Sequence, residues 1–447
     1  MPPTSDPLAL LGDLVERARR AGADEADAIL FDGASLQHAQ RLGKLEKLER
    51  AEGFDLGLRV IIGKRQAIVS SNDRDADHSR DLIGRAIEMA KTVPEDPFCG
   101  LADPTDLARK FPALDLEDPV EPSPAILAER AGAAEDAANA IKGVTNSEGA
   151  QASWSRSVMA LVASNGFAGR YGGTNHSIVV SVLAGEGTAM ERDDDWTSAA
   201  HAADLKSAAE IGRSAGERAV RRLKARKMPT AKVPVIYDPR VAGSLLRHFA
   251  GAINGVGIAR GTSFLKDKLG QPVFPANIDI IDDPHLPRGH RSTPFDGEGV
   301  ANRKRILVEK GVLQTWLMDS AAARQLNLAT TGNAHRGSSG PPGPGPFNLY
   351  IAPGAPSRRA LMSDIASGFY VTELMGMGVN GVTGDYSRGA AGFWIENGEL
   401  AFPVSEVTVA GNLKDMFRNL AAADDLEFRT GIDAPTLRLE GMMVAGS

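Results

Sequence analysis

The sequence predicts an α+β protein, in which an N-terminal α/β domain precedes a strand-rich C-terminal domain of mostly antiparallel sheets. Amphipathic helices and short strands are mixed in the first half, whereas the second half is richer in glycine and strand-forming segments. Asn397-Gly398 separates two apolar segments and predicts a tight hairpin turn, because both residues tolerate positive φ. Antiparallel strands with segregated helices are typical of the α+β class.

The length of 447 residues suggests two or three domains. Seven prolines between positions 94 and 124 indicate a connecting segment rather than a core element. We therefore predict an N-terminal α+β subdomain at 1–93, a proline-rich connection at 94–124, a middle α+β subdomain at 125–228 and a C-terminal strand-rich domain at 229–447.

Apolar spacing predicts the individual elements. Leu8, Leu11, Val15 and Ala18 recur at helical spacing, and Gly22 favours the end of that helix. Further helices are predicted at 82–89, 126–141 and 202–224. Strands are predicted at 56–62, 67–69, 153–163, 176–184, 233–237, 370–374, 393–395, 400–402, 404–409 and 436–444.

Composition excludes several classes of protein. Hydrophobic residues make up 43% of the chain and charged residues 24%, as in ordinary globular proteins. The formal net charge of -7 disfavours a general nucleic-acid binder. The one dense basic run, Arg221 to Lys227, suits the negative end of a helix.

Cellular location is predicted from what the sequence does not contain. Cys99 is the only cysteine, so neither a disulfide within the chain nor a cysteine-based zinc knuckle is possible. The first twenty residues lack the pattern of a secretory signal. The sequence contains no run of ~18 apolar residues, which a membrane-spanning helix would need. We expect a cytoplasmic protein.

The histidines do not form a metal-binding motif. A zincin helix needs two histidines one turn apart and a neighbouring glutamate. Pro284 and Pro287 break any helix near His285 and His290, so a surface loop is predicted there. Asp193-Asp194-Asp195 lacks the spaced oxygens of a calcium loop, and we interpret it as an exposed acidic turn. The eight histidines are His38, His78, His176, His201, His248, His285, His290 and His335.

Other catalytic motifs are equally absent. Gly376, Gly378 and Gly381 follow a predicted strand, but no Gly-Lys-Ser/Thr completes a phosphate-binding loop. Glycines also let a backbone approach a neighbouring strand or peptide closely. The sequence has no Gly-x-Ser-x-Gly elbow, and Cys99 lies in the proline-rich connection, a poor place for a nucleophile.

The chain from Tyr237 onward resembles the TldD/PmbA family, once called modulators of DNA gyrase and now regarded as a two-subunit metallopeptidase. The resemblance is dense in the C-terminal half and looser before it. It rests on several motifs in the right order, namely Ser244 to Ala252 (SLLRHFAGA), Arg260 to Leu265 (RGTSFL), Asp296 to Gly299 (DGEG), Ala329 to Asn333 (ATTGN), Thr372 to Gly376 (TELMG) and Leu437 to Gly446 (LRLEGMMVAG).

This chain departs from the catalytic branch of that family. In the TldD branch, one helix carries His-Glu-x-x-x-His, and a cysteine near the C-terminus is thought to complete the zinc site. Here Arg247, His248 and Ala252 occupy those three positions, and no cysteine follows Cys99. Arg247 is a permanent cation, and one imidazole cannot hold a zinc ion. The sequence is therefore identified as a member of the TldE (PmbA) branch with no metal site of its own.

The resemblance implies a partner and a role. It implies a heterodimer with a TldD-type subunit that carries the zinc, while this chain walls the chamber and holds an unfolded peptide in extended form. Strand addition is one sequence-tolerant way to hold it. The glycine-rich region from Gly376 to Gly392 is a candidate for such contacts, through Gly376, Gly378, Gly381 and Gly392.

Two alternatives remain open at this point. The first is an atypical hydrolase that acts as a homodimer and uses His248, His285 or His290. The second is a regulatory binding protein directed at gyrase, although the acidic balance disfavours direct contact with nucleic acid.

Overall fold

The first half of the chain is built on one antiparallel sheet. The computed structural model describes residues 6–73 and 78–446, without the side chains of 78–80. The sheet has the strand order β3-β2-β1-β4-β5-β6. Its strands are β1 (Glu25–Arg41), β2 (Lys44–Ile62), β3 (Arg65–Ser71), β4 (Val144–Ala163), β5 (Ala168–Ala184) and β6 (Glu191–Ala199).

Four helices accompany this sheet. Helices α3 and α4 pack on one face and enclose a core that includes Leu36, Trp154 and Ile178. Helices α1 and α2 cover the strand ends nearer Leu58. The helices are α1 (Pro7–Arg20), α2 (His78–Thr92), α3 (Pro124–Asn139) and α4 (Ala208–Arg221). One sheet thus joins the stretches predicted as separate subdomains, 1–93 and 125–228, and the domain boundaries stay a prediction.

The proline-rich connection crosses the other face of this sheet. Residues 94–123, all of which the structure describes, form neither a helix nor a strand. Leu107 makes a single bridge to Val300, and Cys99 and Leu101 are buried beneath the sheet with Phe295. The connection is therefore packed against both halves of the molecule.

The C-terminal half contains a second large sheet and a smaller one. The large sheet has the order β16-β15-β14-β7-β19-β17, and β16 also pairs with β19, so five of its strands close into a barrel. Its strands are β7 (Ala231–Tyr237), β14 (Ser367–Val379), β15 (Asp385–Glu396), β16 (Glu399–Asn412), β17 (Leu420–Ala422) and β19 (Leu437–Ala445).

The smaller sheet has the order β10-β9-β8-β13-β18, and a two-stranded ribbon lies beside it. The remaining strands are β8 (Ile280–Asp282), β9 (Arg305–Glu309), β10 (Val312–Leu313), β11 (Ala334–His335), β12 (Gly343–Pro344), β13 (Leu349–Ile351) and β18 (Ile432–Asp433). The helices of this half are α5 (Pro239–Ala252), α6 (Gly255–Ala259), α7 (Ser320–Leu326), α8 (Arg358–Met362) and α9 (Leu413–Arg418).

The predicted α+β class is confirmed. In the C-terminal half only β7–β14 and β13–β18 pair in parallel among the described strands. The hairpin at Asn397-Gly398 is also confirmed, with φ values of 51° and 82°. The helix predicted at 202–224 is shorter than expected, because α4 begins after Ser207, whose hydroxyl accepts a hydrogen bond from the Glu210 amide.

Candidate functional site

Helix α5 carries the three positions at which the sequence predicted a lost metal site. Asp238 caps its first turn by accepting a hydrogen bond from the Arg240 amide at 3.0 Å, and Pro239 follows with the φ that a helix start requires. Leu245, Leu246 and Phe249 are buried in the C-terminal core. The helix is therefore held by its cap and by its apolar face.

The three positions point into different surroundings. Arg247 is exposed, His248 is half-buried, and Ala252 is buried. The imidazole of His248 meets the ring of Tyr386 edge-on, with 5.9 Å between the ring centres. The Ala252 carbonyl accepts a hydrogen bond from the Ser263 hydroxyl at 2.5 Å. None of these surroundings resembles a set of ligands for a divalent cation.

The electrostatics around His248 are unfavourable to zinc. Burial and then the positive charge of Arg388 lower the pKa of His248, so the imidazole is neutral at pH 7. Its Nε2 atom has no hydrogen-bond partner in the part of the chain that the structure describes. Burial likewise raises the pKa of the neighbouring Tyr237 well above its usual range. One neutral imidazole next to a guanidinium does not fit a zinc ion.

No other part of the described chain supplies a metal site. Among residues 6–73 and 78–446, no group of three or more His, Cys, Asp and Glu side chains is arranged to hold a metal ion. Burial raises the pKa of the Cys99 thiol, so this side chain is protonated at neutral pH.

The remaining histidines are dispersed over the molecule. His285 and His290 lie in the irregular segment 283–304, as the prolines predicted. Burial lowers the pKa of His335 to about 4, and its ring packs at a tilt of 37° against Phe347, with 4.8 Å between the ring centres. The His78 side chain lies outside the described residues. Four histidines have a polar neighbour within 3.2 Å: Gln40 for His38, Asp118 for His176, the Asp115 carbonyl for His201 and Asn302 for His285.

The prediction of an exposed acidic turn at Asp193–Asp195 is wrong. These residues lie in β6, and Asp193 and Asp195 are buried. Arginine side chains neutralise them: Asp193 meets Arg240 at 3.3 Å, and Asp195 meets Arg218 at 3.0 Å. No residue close in the sequence indicates this, because the arginines come from α4 and α5.

The glycines predicted to contact peptide lie on β14, on β15 and in the turn between them. Gly378 and Gly392 face neighbouring backbone so closely that a Cβ atom would lie 2.1 Å from the Ser387 carbonyl and 1.9 Å from that of Tyr370. Gly381 and Gly376 face open space, and Gly376 has a φ of 75°. Strand pairing therefore explains Gly378 and Gly392, while a peptide contact at any of the four stays a prediction.

The Asp296–Gly299 motif has a structural task that the sequence did not reveal. Asp296 is buried and accepts hydrogen bonds from the amides of Glu298, Val300 and Ala334 at 2.8–3.0 Å. Glu298 accepts another from the Ser320 amide at 2.8 Å. The motif thus fixes the loops that carry the C-terminal half against the first sheet.

Comparison with known proteins agrees with this geometry. The central and C-terminal domains of the PmbA/TldA metallopeptidases match residues 111–223 and 230–446, and their first domain matches 26–90. Metalloprotease PmbA of Escherichia coli O157:H7 is 38% identical over 95% of this chain and 93% of its own length. The PmbA homolog of Haemophilus influenzae is 36% identical over 97% of this chain and 94% of its own.

Solved structures show the same fold. A protein of Bacteroides thetaiotaomicron described as a modulator of DNA gyrase superposes with a TM-score of 0.90 at 27% identity, covering 98% of both chains. TldE from Thermococcus kodakarensis superposes with a TM-score of 0.85 at 22% identity, covering 97% of this chain and 99% of its own. The chain therefore belongs to the PmbA/TldD family of metallopeptidases, on its PmbA (TldE) side.

Proposed function

We propose that this chain is the non-catalytic subunit of a cytoplasmic two-subunit zinc peptidase. Its partner is a TldD-type subunit that carries the zinc ion and the water-activating glutamate. This chain walls the shared chamber and holds an unfolded peptide in extended form for cleavage by the partner.

The observation that carries this proposal is the chemistry of α5. The helix keeps its cap, its buried face and its place in the core, while the three positions of the metal motif hold Arg247, His248 and Ala252. Arg388 adds a positive charge on the side of His248. A helix that holds a cation, one neutral imidazole and a methyl group at these three positions favours a non-catalytic subunit over an enzyme.

Among the described residues, no helix is both long enough and apolar enough to cross a membrane. The sequence has 57 acidic and 50 basic residues, so a peptide, rather than a polyanion, is the favoured ligand.

The direct test compares the chain alone, a TldD-type partner alone, and an equimolar mixture. We expect close to zero zinc per chain after dialysis, no cleavage of an unfolded peptide by this chain, and chelator-sensitive cleavage by the mixture. Cleavage by the isolated chain that a chelator abolishes would instead support a homodimeric hydrolase.

Affinity capture on the purified chain tests the partner. Recovery of a protein that carries His-Glu-x-x-x-His supports the proposal, and recovery of gyrase without such a protein supports the regulatory alternative.

Arg247→Ala is the matched variant for the zinc and cleavage measurements. It removes an exposed cation from α5 without adding a ligand, and we expect it to leave zinc content and cleavage by the isolated chain at zero.

A further inference from the structure

Part of one face of the first sheet carries short, uncharged polar side chains. Helices α3 and α4 cover its opposite face. On the face opposite these helices, Ser155 of β4 lies opposite Ser35 of β1 on one side and Asn175 of β5 on the other. Ser153 lies opposite Ser177 in the next row, and their hydroxyl oxygens are 2.7 Å apart. We call the set Ser35, Ser153, Ser155, Ser157, Asn175 and Ser177 the polar floor.

The polar floor differs from an ordinary solvent-facing surface. Charged residues make up 24% of the chain, and long charged side chains normally cover exposed sheet faces. The floor positions carry hydroxyl and amide groups, and all except Ser157 are half-buried. Because these side chains are short, a ligand on this face could come close to the backbone of β4 and β5.

Two adjoining cavities lie where the floor meets the C-terminal half. The first has a volume of about 310 Å³ and is lined by Ser155, Ser157 and Asn175 from the floor, together with Gly289 and His290 opposite. Among its described lining residues there is no Asp, Glu, Lys or Arg. The second cavity, of about 250 Å³, shares Gly289 and His290 with the first.

The second cavity is connected to α5 through β18. Asp433 of β18 lines the second cavity. Gly243 of α5 packs against this strand so closely that a Cβ atom would lie 2.5 Å from the Ile432 carbonyl. The second cavity and α5 therefore contact the same strand.

We propose that the polar floor and the first cavity bind an extended, uncharged segment of an unfolded polypeptide. This inference rests on the proposed function and names the part of the chain that holds the substrate and the chemistry it selects. Each serine hydroxyl both donates and accepts, so the floor serves main-chain amides and carbonyls in either chain direction.

The dimensions agree with a short peptide segment. The distance from Ser153 to Ser157 along β4 is about 13 Å at the usual rise of a strand, which matches roughly four residues of an extended chain. Burial raises the pKa of Tyr171, beside the floor, to about 12, so its phenol adds a neutral group to the first cavity. Lysine or glutamate in the bound segment would lose hydration without meeting an opposite charge on the floor.

The test measures binding of a short fluorescein-labelled peptide of Gly, Ser, Asn and Gln to the full chain by fluorescence anisotropy. Ser155→Arg combined with Ser157→Arg places two long cations on the floor, and we expect binding to weaken at least about tenfold. Ser367→Arg is the matched control, since Ser367 is an exposed strand serine of the C-terminal sheet. Unchanged binding by the double variant would overturn the inference.

A milder variant keeps the test valid if the double arginine variant does not fold. Ser155→Ala combined with Ser157→Ala removes two hydroxyls at little cost to packing, and we expect about a fivefold loss or more. Raising the salt concentration should change wild-type binding less than about twofold, because no charge pairs form. A steep salt dependence, preference for an alternating Lys/Glu peptide, or competition by a neutral oligosaccharide would each contradict the proposal.

The floor and the proposed function fail in distinguishable ways. If the chain stimulates a TldD-type partner and the arginine variants stimulate it equally, the function stands and the floor is wrong. If the chain binds the neutral peptide through the floor but never supports cleavage by such a partner, the floor stands and the function is wrong.

Discussion

At the scale of single residues, the proposed loss of a metal site on α5 can be tested by restoring the ligands. Suppose that Arg247→His, His248→Glu and Ala252→His are introduced together. We expect weak zinc binding and negligible hydrolysis, because catalytic zinc normally has three protein ligands and no cysteine follows Cys99. Zinc titration and a peptide-cleavage assay measure both.

The structure adds two reasons for a weak restored site. The glutamate introduced at position 248 would lie in the positive field of Arg388, and its carboxylate would form an ion pair with that guanidinium. The introduced histidine at position 252 would enter a buried site now filled by a methyl group. Arg247→His alone serves as the control. Tight zinc binding with rapid turnover by the triple variant would show that the rest of a catalytic site is intact.

Asp319 allows a prediction of pH dependence. Burial and then the nearby Glu298 raise its pKa to about 6, above the value of 3.8 for a free side chain. A carboxyl whose pKa is raised by folding stabilises the fold below pH 3.8, and this contribution is lost as pH rises through 6. At about 1.4 kcal/mol per pKa unit, up to ~3 kcal/mol is lost by pH 8.

Asp319→Asn tests this dependence. The amide oxygen can still accept the hydrogen bond that the Ala322 amide now donates to Asp319 at 2.8 Å. Urea unfolding at pH 5 and pH 8 should show a smaller difference in the free energy of unfolding for the variant than for wild type. Asp103→Asn is the control, because Asp103 is exposed. An unchanged difference would show that Asp319 does not titrate in this range.

The sequence predicted the residues on α5 but not their surroundings. The positions Arg247, His248 and Ala252 follow from a motif that is contiguous in the chain. Arg388 lies 140 positions later than His248 and reaches it only because β15 and α5 pack together. The polar floor was missed for the same reason, since its serines come from three strands whose register the sequence does not specify.

At the scale of elements, the β1–β2 hairpin was missed because a leucine, rather than asparagine, aspartate or glycine, is the first residue of its turn. Leu42-Gly43 connects the strands, and Leu42 has a φ of 50°, which is uncommon for leucine. Glu135 of α3 compensates by accepting hydrogen bonds from the Leu42 amide at 2.6 Å and the Gly43 amide at 3.0 Å. The signal for this turn therefore lies about 90 residues away in the sequence.

Glu135→Ala should destabilise the protein by ~3 kcal/mol, because buried donors would lose a charged acceptor. Burial disfavours the ionised form of Glu135, but hydrogen bonds from Ser147, Gln40, Gly43 and Leu42 outweigh it and lower the pKa. The contribution is thus present at neutral pH and is lost as pH falls below 4.5. Urea unfolding measures it, and Glu129→Ala, an exposed position on the same helix, is the control. Equal effects of the two changes would contradict this role.

At the scale of the whole molecule, the α+β class was predictable but the joining of the two halves was not. The apolar spacing that defines strands and helices is local, so it can be recognised in the sequence. The ion pairs that join the two halves cannot be recognised there, because their partners are far apart in the chain. Arg222 at the end of α4 contacts Glu191 at 3.4 Å in the first half and Glu373 at 2.5 Å in the second. Asp193 of β6 meets Arg240 of α5 in the same cleft.

Two ion pairs across this boundary should therefore differ greatly in their effect on stability. Asp193 has only 8% of its side chain exposed, and removing it would leave Arg222 and Arg240 with less opposite charge in a buried place. The pair Lys206–Glu427, at 3.3 Å, is 45% and 58% exposed. We expect Asp193→Ala to lower the free energy of unfolding by ~3–5 kcal/mol and Glu427→Ala by less than ~1 kcal/mol. Urea unfolding with limited proteolysis between residues 222 and 230 measures both. Equal losses would mean that the halves are held together by their apolar contacts rather than by the buried charges, since solvent screens only the exposed pair.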